Sequence, residues 1–333
     1  MESLISFNGE LIEEADFGVG FANRSFNYGD GFFESCLFEK GECRLWQFHE
    51  KRIASALSQL AFEIIVTPTA LAALVLELLM KKGLTVCAAR IKIHFFRNNG
   101  GLYTPTSTQG SFIISAEKSN GFSINSIGLN VGFAERNYIS EINLGFKSTS
   151  AIQYVLAGIE KKNRSLDDLI LCNSRGEITE MISSNVWWYN DGVVFTASSA
   201  TGCVNGVAKL HVLEILEKEG IPIKQGAFDP DELLGSSEVF VSNAVQGIRW
   251  VEKIDGHYFI TANNGVMSLI CDEINAEKVY ELQLPNAIHN SFPSVNIFVK
   301  AACHIARGGT LEVIGKPFNE LKELVDYKAR ISD

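Results

Sequence analysis

The chain has 333 residues, 46% of them hydrophobic, with 39 acidic against 29 basic side chains for a formal charge of -10. That length allows two domains of ordinary size, and the apolar fraction excludes a disordered chain. The acidic excess argues against nucleic acid or an anionic membrane as main partner, since both select basic faces. It leaves room for a small anionic substrate in a local basic pocket.

The opening stretch MESLISFNGELIEE has neither a basic start nor a long apolar run, so it does not read as a signal peptide. The longest apolar stretch, Leu71 to Met80, is too short to span a bilayer and contains Glu77. Seven cysteines, at 36, 43, 87, 172, 203, 271 and 303, are scattered and never spaced Cys-x-x-Cys. They read as small buried hydrophobes in a reducing compartment, so a cytoplasmic protein is expected.

In chain order, residues 3–7 and 10–12 flank Asn8-Gly9, a hairpin signal. Residues 31–38 read as a strand ending in a turn at Lys40-Gly41. Residues 49–61 carry Ile53, Ala56, Leu57 and Leu60 on one helical face, and a second helix runs from Pro68 to a stop at Gly83. Residues 90–95 alternate strictly, as a half-buried strand does, and 111–116 form another strand. Residues 117–121 are the best linker. Beyond them, helices are predicted near 148–163 and 206–219, with strands at 168–172, 184–189, 192–196 and 238–242, giving an α/β or α+β second domain. The last fifty residues suggest a helix at 294–306, a strand at 310–314 and a charged final helix. The expected division is therefore 1–117, 122–280 and a C-terminal extension, 281–333, without an assigned role.

Common catalytic signatures are missing. Gly18-Val19-Gly20 and Gly29-Asp30-Gly31 lack the strand–turn–helix setting of a nucleotide fingerprint, and no Gly-x-Ser-x-Gly occurs. The six histidines include no pair at metal-ligand spacing, so no metal is expected. His94, on the polar side of its strand, reads as solvated or satisfied.

What remains makes sense as a set. Lys147 stands in Gly145-Phe146-Lys147-Ser148-Thr149, between an apolar strand and a helix, where partial desolvation frees an amine to form a Schiff base. Glu180 opens Glu180-Met-Ile-Ser-Ser-Asn185, and a carboxylate there could keep a pyridine nitrogen protonated. Asn205-Gly206-Val207-Ala208 begins a helix whose free amides suit a phosphate. Arg52, in His49-Glu50-Lys51-Arg52, could add a charge-assisted contact.

In this order the residues resemble the fold type IV pyridoxal-phosphate enzymes, which include branched-chain aminotransferases, D-amino-acid aminotransferases and 4-amino-4-deoxychorismate lyases. The resemblance runs over roughly residues 5–275. It passes through Asn27-Tyr28-Gly29-Asp30-Gly31-Phe32-Phe33-Glu34, His49-x-x-Arg52, the Lys147 segment, Glu180 with Asn185, Asn205-Gly206-Val207 and Glu238 to Asn243. It implies an α+β fold: a small α+β N-terminal domain, a larger pseudo-barrel domain, and a homodimer with pyridoxal 5'-phosphate between the domains. By matching position, Lys147 would hold the cofactor and shuttle the α-proton, and Glu180 would pair with the pyridine nitrogen. Arg52, with the amides of Val207 and Ala208, would hold the phosphate. Asn185, Asn243 and Ala244 join the cofactor set, while Phe33 and Arg97 are the substrate-side candidates.

Assigning the branch rests on departures. The Arg97 to Pro105 segment lacks the arginine–histidine pair of the D-amino-acid enzymes. The tyrosine that branched-chain enzymes carry five residues after the lysine is Ile152. Asn243-Ala244 and Val204-Asn205-Gly206 look more like the lyases. The leading expectation is β-elimination from 4-amino-4-deoxychorismate to 4-aminobenzoate and pyruvate. Transamination of a branched-chain or related amino acid is the alternative, for which Phe32, Phe33 and Trp187 would suit an aliphatic side chain. A cofactor-binding protein without turnover is a third reading, because Gly206-Val207-Ala208-Lys209 replaces the family's usual Gly-Ile-Thr-Arg and loses a hydroxyl at the phosphate.

Overall fold

The computed structural model describes residues 4–64, 66–122, 128–136, 138–140 and 144–258, together with two short strands at 279–282 and 315–318. The chain starts with a hairpin of β1 (Leu4–Phe7) and β2 (Glu10–Glu13), turned by Asn8 at φ 50° and Gly9 at φ 95°. A short helix α1 (Arg24–Tyr28) is capped by the Asn23 side chain, which accepts from the Phe26 amide, and it stops at left-handed Gly29. Then follow β3 (Gly31–Glu39), β4 (Glu42–Cys43), helices α2 (Trp46–Gln59) and α3 (Pro68–Lys82), β5 (Ala89–Arg97) and β6 (Gly110–Lys118). These strands make one antiparallel sheet in the order β2-β1-β6-β5-β3-β4.

The alternation in β5 decides which face of that sheet is covered. Ile91, Ile93 and Phe95 are fully buried against Ile53 and Ala56 of α2 and Leu71, Val75, Leu78 and Leu79 of α3. Arg90, Lys92 and His94 point the other way, so the sheet keeps an opposite, polar face.

The second sheet uses β7 (Leu129–Phe133), β8 (Asp168–Cys172), β9 (Ile178–Met181), β10 (Asn185–Asn190), β11 (Val193–Ala197), β12 (Ile223–Gly226), β13 (Glu238–Asn243) and β14 (Gly247–Ile254). Its order is β12-β11-β10-β13-β14-β7-β8-β9, with β15 (His257–Tyr258) added beside β14. The sheet curls, because β9 turns straight into β10 through a Met181-to-Ser184 backbone bond of 2.8 Å. Helices α4 (Ile152–Asn163), α5 (Val207–Lys218) and α6 (Pro230–Leu234) complete this half. The α+β reading therefore holds, with residues up to 118 in the first sheet and from 129 onward in the second.

Two elements differ informatively from the sequence reading. The helix expected from residue 148 begins at Ile152. Residues 147–149 are instead drawn out along β3: Phe33 donates to the Lys147 carbonyl at 2.9 Å, and Thr149 to the Gly31 carbonyl at 3.0 Å. Strands β7, β9, β12 and β14 carry no clean alternation: β7 and β14 lie inside the sheet, while β9 and β12 are its end strands and are only four residues long. The helix at 294–306, the strand at 310–314 and the final helix lie outside the described residues; β16 (Val279–Leu282) and β17 (Gly315–Phe318), which are described, pair antiparallel.

Candidate active site

A cavity of about 1040 Å3 opens between the polar face of the first sheet and the mouth of the second. Lys147 reaches into it, and its position follows from two glycines. A Cβ on Gly31 would collide with the Phe95 carbonyl oxygen, and one on Gly29 would press on Ser150 at 3.0 Å. Glycine at 31 lets β5 approach β3, glycine at 29 lets the 147–150 segment lie this close, and Thr149 then anchors its hydroxyl on the Gly29 carbonyl at 2.6 Å. The Tyr28-Gly29-Asp30-Gly31 segment is thus the bed of the lysine loop. Burial first, then the Arg52 guanidinium, lowers the Lys147 amine to about 8. Its ammonium also sits 5.8 Å from the centre of the Phe33 ring.

Arg52, on α2, is held by a carboxylate that the sequence reading did not single out. Glu34 of β3 receives Arg52 Nε at 2.7 Å and Nη2 at 2.6 Å, and lies 2.6 Å from His49 Nδ1. The remaining nitrogen, Nη1, donates to the Asn205 carbonyl at 2.9 Å. All three side chains are at most 5% exposed. Burial pushes the Glu34 carboxyl up, but Arg52 and His49 outweigh it and hold it near 2. The signal was present, since the helical period puts His49 and Arg52 on one face of α2, and strand alternation puts Glu34 opposite Phe33.

Arg52 meets the start of α5, whose N-cap Gly206 offers no capping side chain. The amides of the first helical residues, Val207 and Ala208, have no intrahelical acceptor. A Cβ on Gly206 would strike Asn185 Oδ1, and Asn185 Nδ2 donates to the Val204 carbonyl at 3.0 Å, so Asn185 shapes this turn. Val207 lines the cavity and Ala208 lies one residue deeper, 6% exposed. Lys209, the departure from the family pattern, is turned away: it is 2% exposed and its ammonium donates to the Ala197 carbonyl.

On the opposite wall, Glu180 of β9 accepts from the Tyr154 hydroxyl at 2.6 Å and the Val204 amide at 3.2 Å. Burial raises the carboxyl despite these donors. Tyr154, the third residue of α4, was not among the sequence candidates. Asn243 and Ala244 border the cavity. The Asn243 side chain builds the 243–246 turn by accepting from the amides of Val245 at 3.0 Å and Gln246 at 2.7 Å.

Three expectations need correction. Arg97 is 5% exposed and does not line this cavity; its guanidinium bonds Asp30 at 2.9 Å and the carbonyls of Leu60, Ala61 and Ser107. It fastens the loop after β5, together with Arg24 on the same Asp30 oxygen at 2.7 Å. Phe32 and Trp187 are core residues: Phe32 stacks on Phe95 at 4.5 Å, and Trp187 stacks on Phe240 at 5.7 Å with its indole N–H on Ser242. Of the three aromatic candidates only Phe33 borders the cavity. His94 is not satisfied, since its buried Nε2 lacks a hydrogen-bond partner, and burial with nearby Lys92 lowers the ring to about 4.

The family model described as "Amino-transferase class IV" matches residues 31–254. A second model, the "SAM hydroxide adenosyltransferase N-terminal domain", matches residues 245–315, mostly outside the described residues. An aminodeoxychorismate lyase from Vibrio harveyi is 30% identical over 241 residues, covering 71% of this chain and 87% of that protein. A D-alanine aminotransferase from Bacillus licheniformis is 25% identical over 260 residues, covering 76% and 88%. The branched-chain amino acid aminotransferase of Escherichia coli shares the fold with a TM-score of 0.69 at 20% identity, over 78% of this chain and 88% of that one. A family match across two thirds of the chain, with a relative 30% identical over 71% of it, makes this protein an enzyme of the class IV aminotransferase family.

Proposed function

We propose that the chain is a pyridoxal-phosphate-dependent 4-amino-4-deoxychorismate lyase. The observation that carries the cofactor part is the Lys147 amine, lowered to about 8, in one cavity with Arg52, the open end of α5 and Glu180. These residues fit the group: Arg52 and the amides of Val207 and Ala208 suit a phosphate, and buried Glu180 suits a protonated ring nitrogen. Bound there, the cofactor supplies an electron-accepting ring for the charge left when the substrate loses its proton.

The protein's own residues do the rest. Lys147, neutral in a useful fraction near pH 7, removes the proton from the amino-bearing carbon. Glu180, oriented by the donors Tyr154 and Val204, would hold the ring nitrogen, whose positive charge would favour the carboxylate. Phe33 shields the reacting centre from water. Loss of the enolpyruvyl group as pyruvate leaves an aromatic ring, 4-aminobenzoate, so the elimination is downhill. The lyase branch is supported by the 30% relative and by Asn243-Ala244 at the cavity edge.

Purified protein with added cofactor should release pyruvate and 4-aminobenzoate in equal amounts from 4-amino-4-deoxychorismate. No pyruvate from that substrate, together with a 2-oxo acid from an amino-acid donor, establishes the aminotransferase reading instead, which the D-alanine relative supports.

A homodimer is part of the proposal. Helix α4 leaves Ile152, Val155, Leu156 and Ile159 43–65% exposed in one stripe, an apolar face directly after the lysine loop.

A further inference from the structure

The lining of the cavity holds four cationic side chains, Arg52, Arg90, Lys147 and Arg249, against one carboxylate, Glu180. Two of the four already have work: Arg52 is bound to Glu34 and the Asn205 carbonyl, and Lys147 is the reactive amine. Arg90 and Arg249 remain, and they stand on different walls. Arg90 projects from β5 on the polar face of the first sheet, and Arg249 from β14 of the second.

Neither has an ion pair among the described residues. Arg90 lies across the strand pair from exposed Glu117 and makes no salt bridge with it. Its charge nevertheless acts on Lys147, which sets it on the side of the reacting amine. Arg249 makes one long contact, 3.4 Å, to the Gln246 side chain. The carboxylate that feels Arg249, Asp168, is 8% exposed and already accepts from the amides of Leu169 and Ile182. Arg97, the arginine that the sequence pattern offers for a substrate, is saturated elsewhere.

We propose that Arg90 and Arg249 are a two-point recognition pair for a substrate bearing two carboxylates, one met by each sheet. This rests on the lyase reading and deepens it, since 4-amino-4-deoxychorismate carries one carboxylate on its ring and one on its enolpyruvyl arm. A branched-chain or D-amino acid carries one carboxylate and leaves one arginine uncompensated in the cavity. The pair is therefore a specificity device that separates dianionic substrates from ordinary amino acids before any chemistry.

The test uses ligands that lack an amine and so cannot react: chorismate, a dicarboxylate, and shikimate, a cyclic monocarboxylate. Their dissociation constants are measured by calorimetry on the cofactor-loaded protein, on R90Q and R249Q, and on K81Q, a charge control on exposed α3. Loss of a charged hydrogen-bonding partner corresponds to about 10- to 100-fold in affinity. Each arginine variant should weaken chorismate by that factor, shikimate should respond to at most one of them, and K81Q should change neither. R90K should recover part of the loss at Arg90. Unchanged chorismate binding in both arginine variants, or equal losses for both ligands in both variants, overturns the proposal. Because no turnover is involved, this outcome is independent of whether pyruvate is released.

Discussion

Replacing Glu34 by Gln tests the physical core of the site. Its carboxyl is held near 2 against an ordinary 4.5, and at 1.36 kcal/mol per unit this corresponds to about 3 kcal/mol of native-state stabilisation. The group is buried, so no screening discount applies. Removing one member of a buried ion pair costs about 3–5 kcal/mol by general experience, which agrees. The sign follows from the depressed native value: the stabilisation is present above pH 4.5 and is lost as pH falls toward 2. E34Q should therefore lower the melting temperature by about 4–5 °C at neutral pH and lose that part of the acid dependence. Gln keeps a single acceptor oxygen, so Arg52 would lose one of its two bonds to residue 34 and the charge that strengthens the other, and pyridoxal phosphate should bind about 10- to 100-fold more weakly. Its phosphate should restore part of the lost stability by re-pairing the guanidinium. Urea unfolding with and without the cofactor, from pH 3 to 8, reads all of this. Full stability with unchanged cofactor affinity would refute the reasoning.

Other outcomes follow from the same geometry. With Lys147 lowered from 10.5 to about 8, about 300-fold more of the amine is neutral at pH 7 than for a free lysine, and the rate of cofactor loading should rise with pH and level off above 8; stopped-flow absorbance checks it, and a plateau only above 10 contradicts it. In G29A a Cβ presses on Ser150 at 3.0 Å from a backbone at φ 64°, so the lysine loop should lift and the lysine-bound absorption band should weaken while far-ultraviolet circular dichroism persists. R97Q removes four bonds from a buried guanidinium and should cost about 2–4 kcal/mol of stability without changing the substrate KM; a raised KM at full stability would return Arg97 to the site.

The parts of this fold that the sequence displays are those governed by local rules. Asn8-Gly9 turns its hairpin, Gly83 stops α3, and the alternation of β5 separates Ile91 and Ile93 from Arg90 and Lys92. Lys147, Arg52 and Glu180 are legible because their residue types suit one chemistry in one order. What the sequence hides is contact across long separations. Nothing local distinguishes Arg97, saturated by residues 30, 60, 61 and 107, from Arg90, seven positions earlier and open to the cavity. Nor does spacing reveal that Tyr154 would find Glu180, or that residues 148–151 would leave the helix to run along β3. Phe32 and Phe33 illustrate the boundary: period two separates them at once, but which of the two faces is the core is decided by α2 and α3.

The hydrogen bonds explain why so dispersed a site can be rigid. Gly145 accepts from the Asn205 amide at 3.0 Å, two residues before the reactive lysine, and the Asn205 carbonyl accepts from Arg52. Lys147 itself is fixed by its carbonyl to Phe33, the neighbour of Glu34 on β3. Glu34, Arg52, Asn205, Gly145 and Lys147 therefore form a closed circuit that returns to the strand on which it began. Arg52 and the Lys147 amine are both referred to β3: Glu34 shares the face that Phe32 and Cys36 lock into the core, and the Phe33 amide holds the lysine segment. Moving either group relative to the other requires breaking a buried ion pair or lifting a strand-like segment from its glycine bed. The spacing between Lys147 and Arg52 is thus a property of the first sheet, while Glu180 and Arg249 belong to the second. A change in the contact between the sheets would alter Glu180 and Arg249 together and leave the Lys147–Arg52 spacing intact.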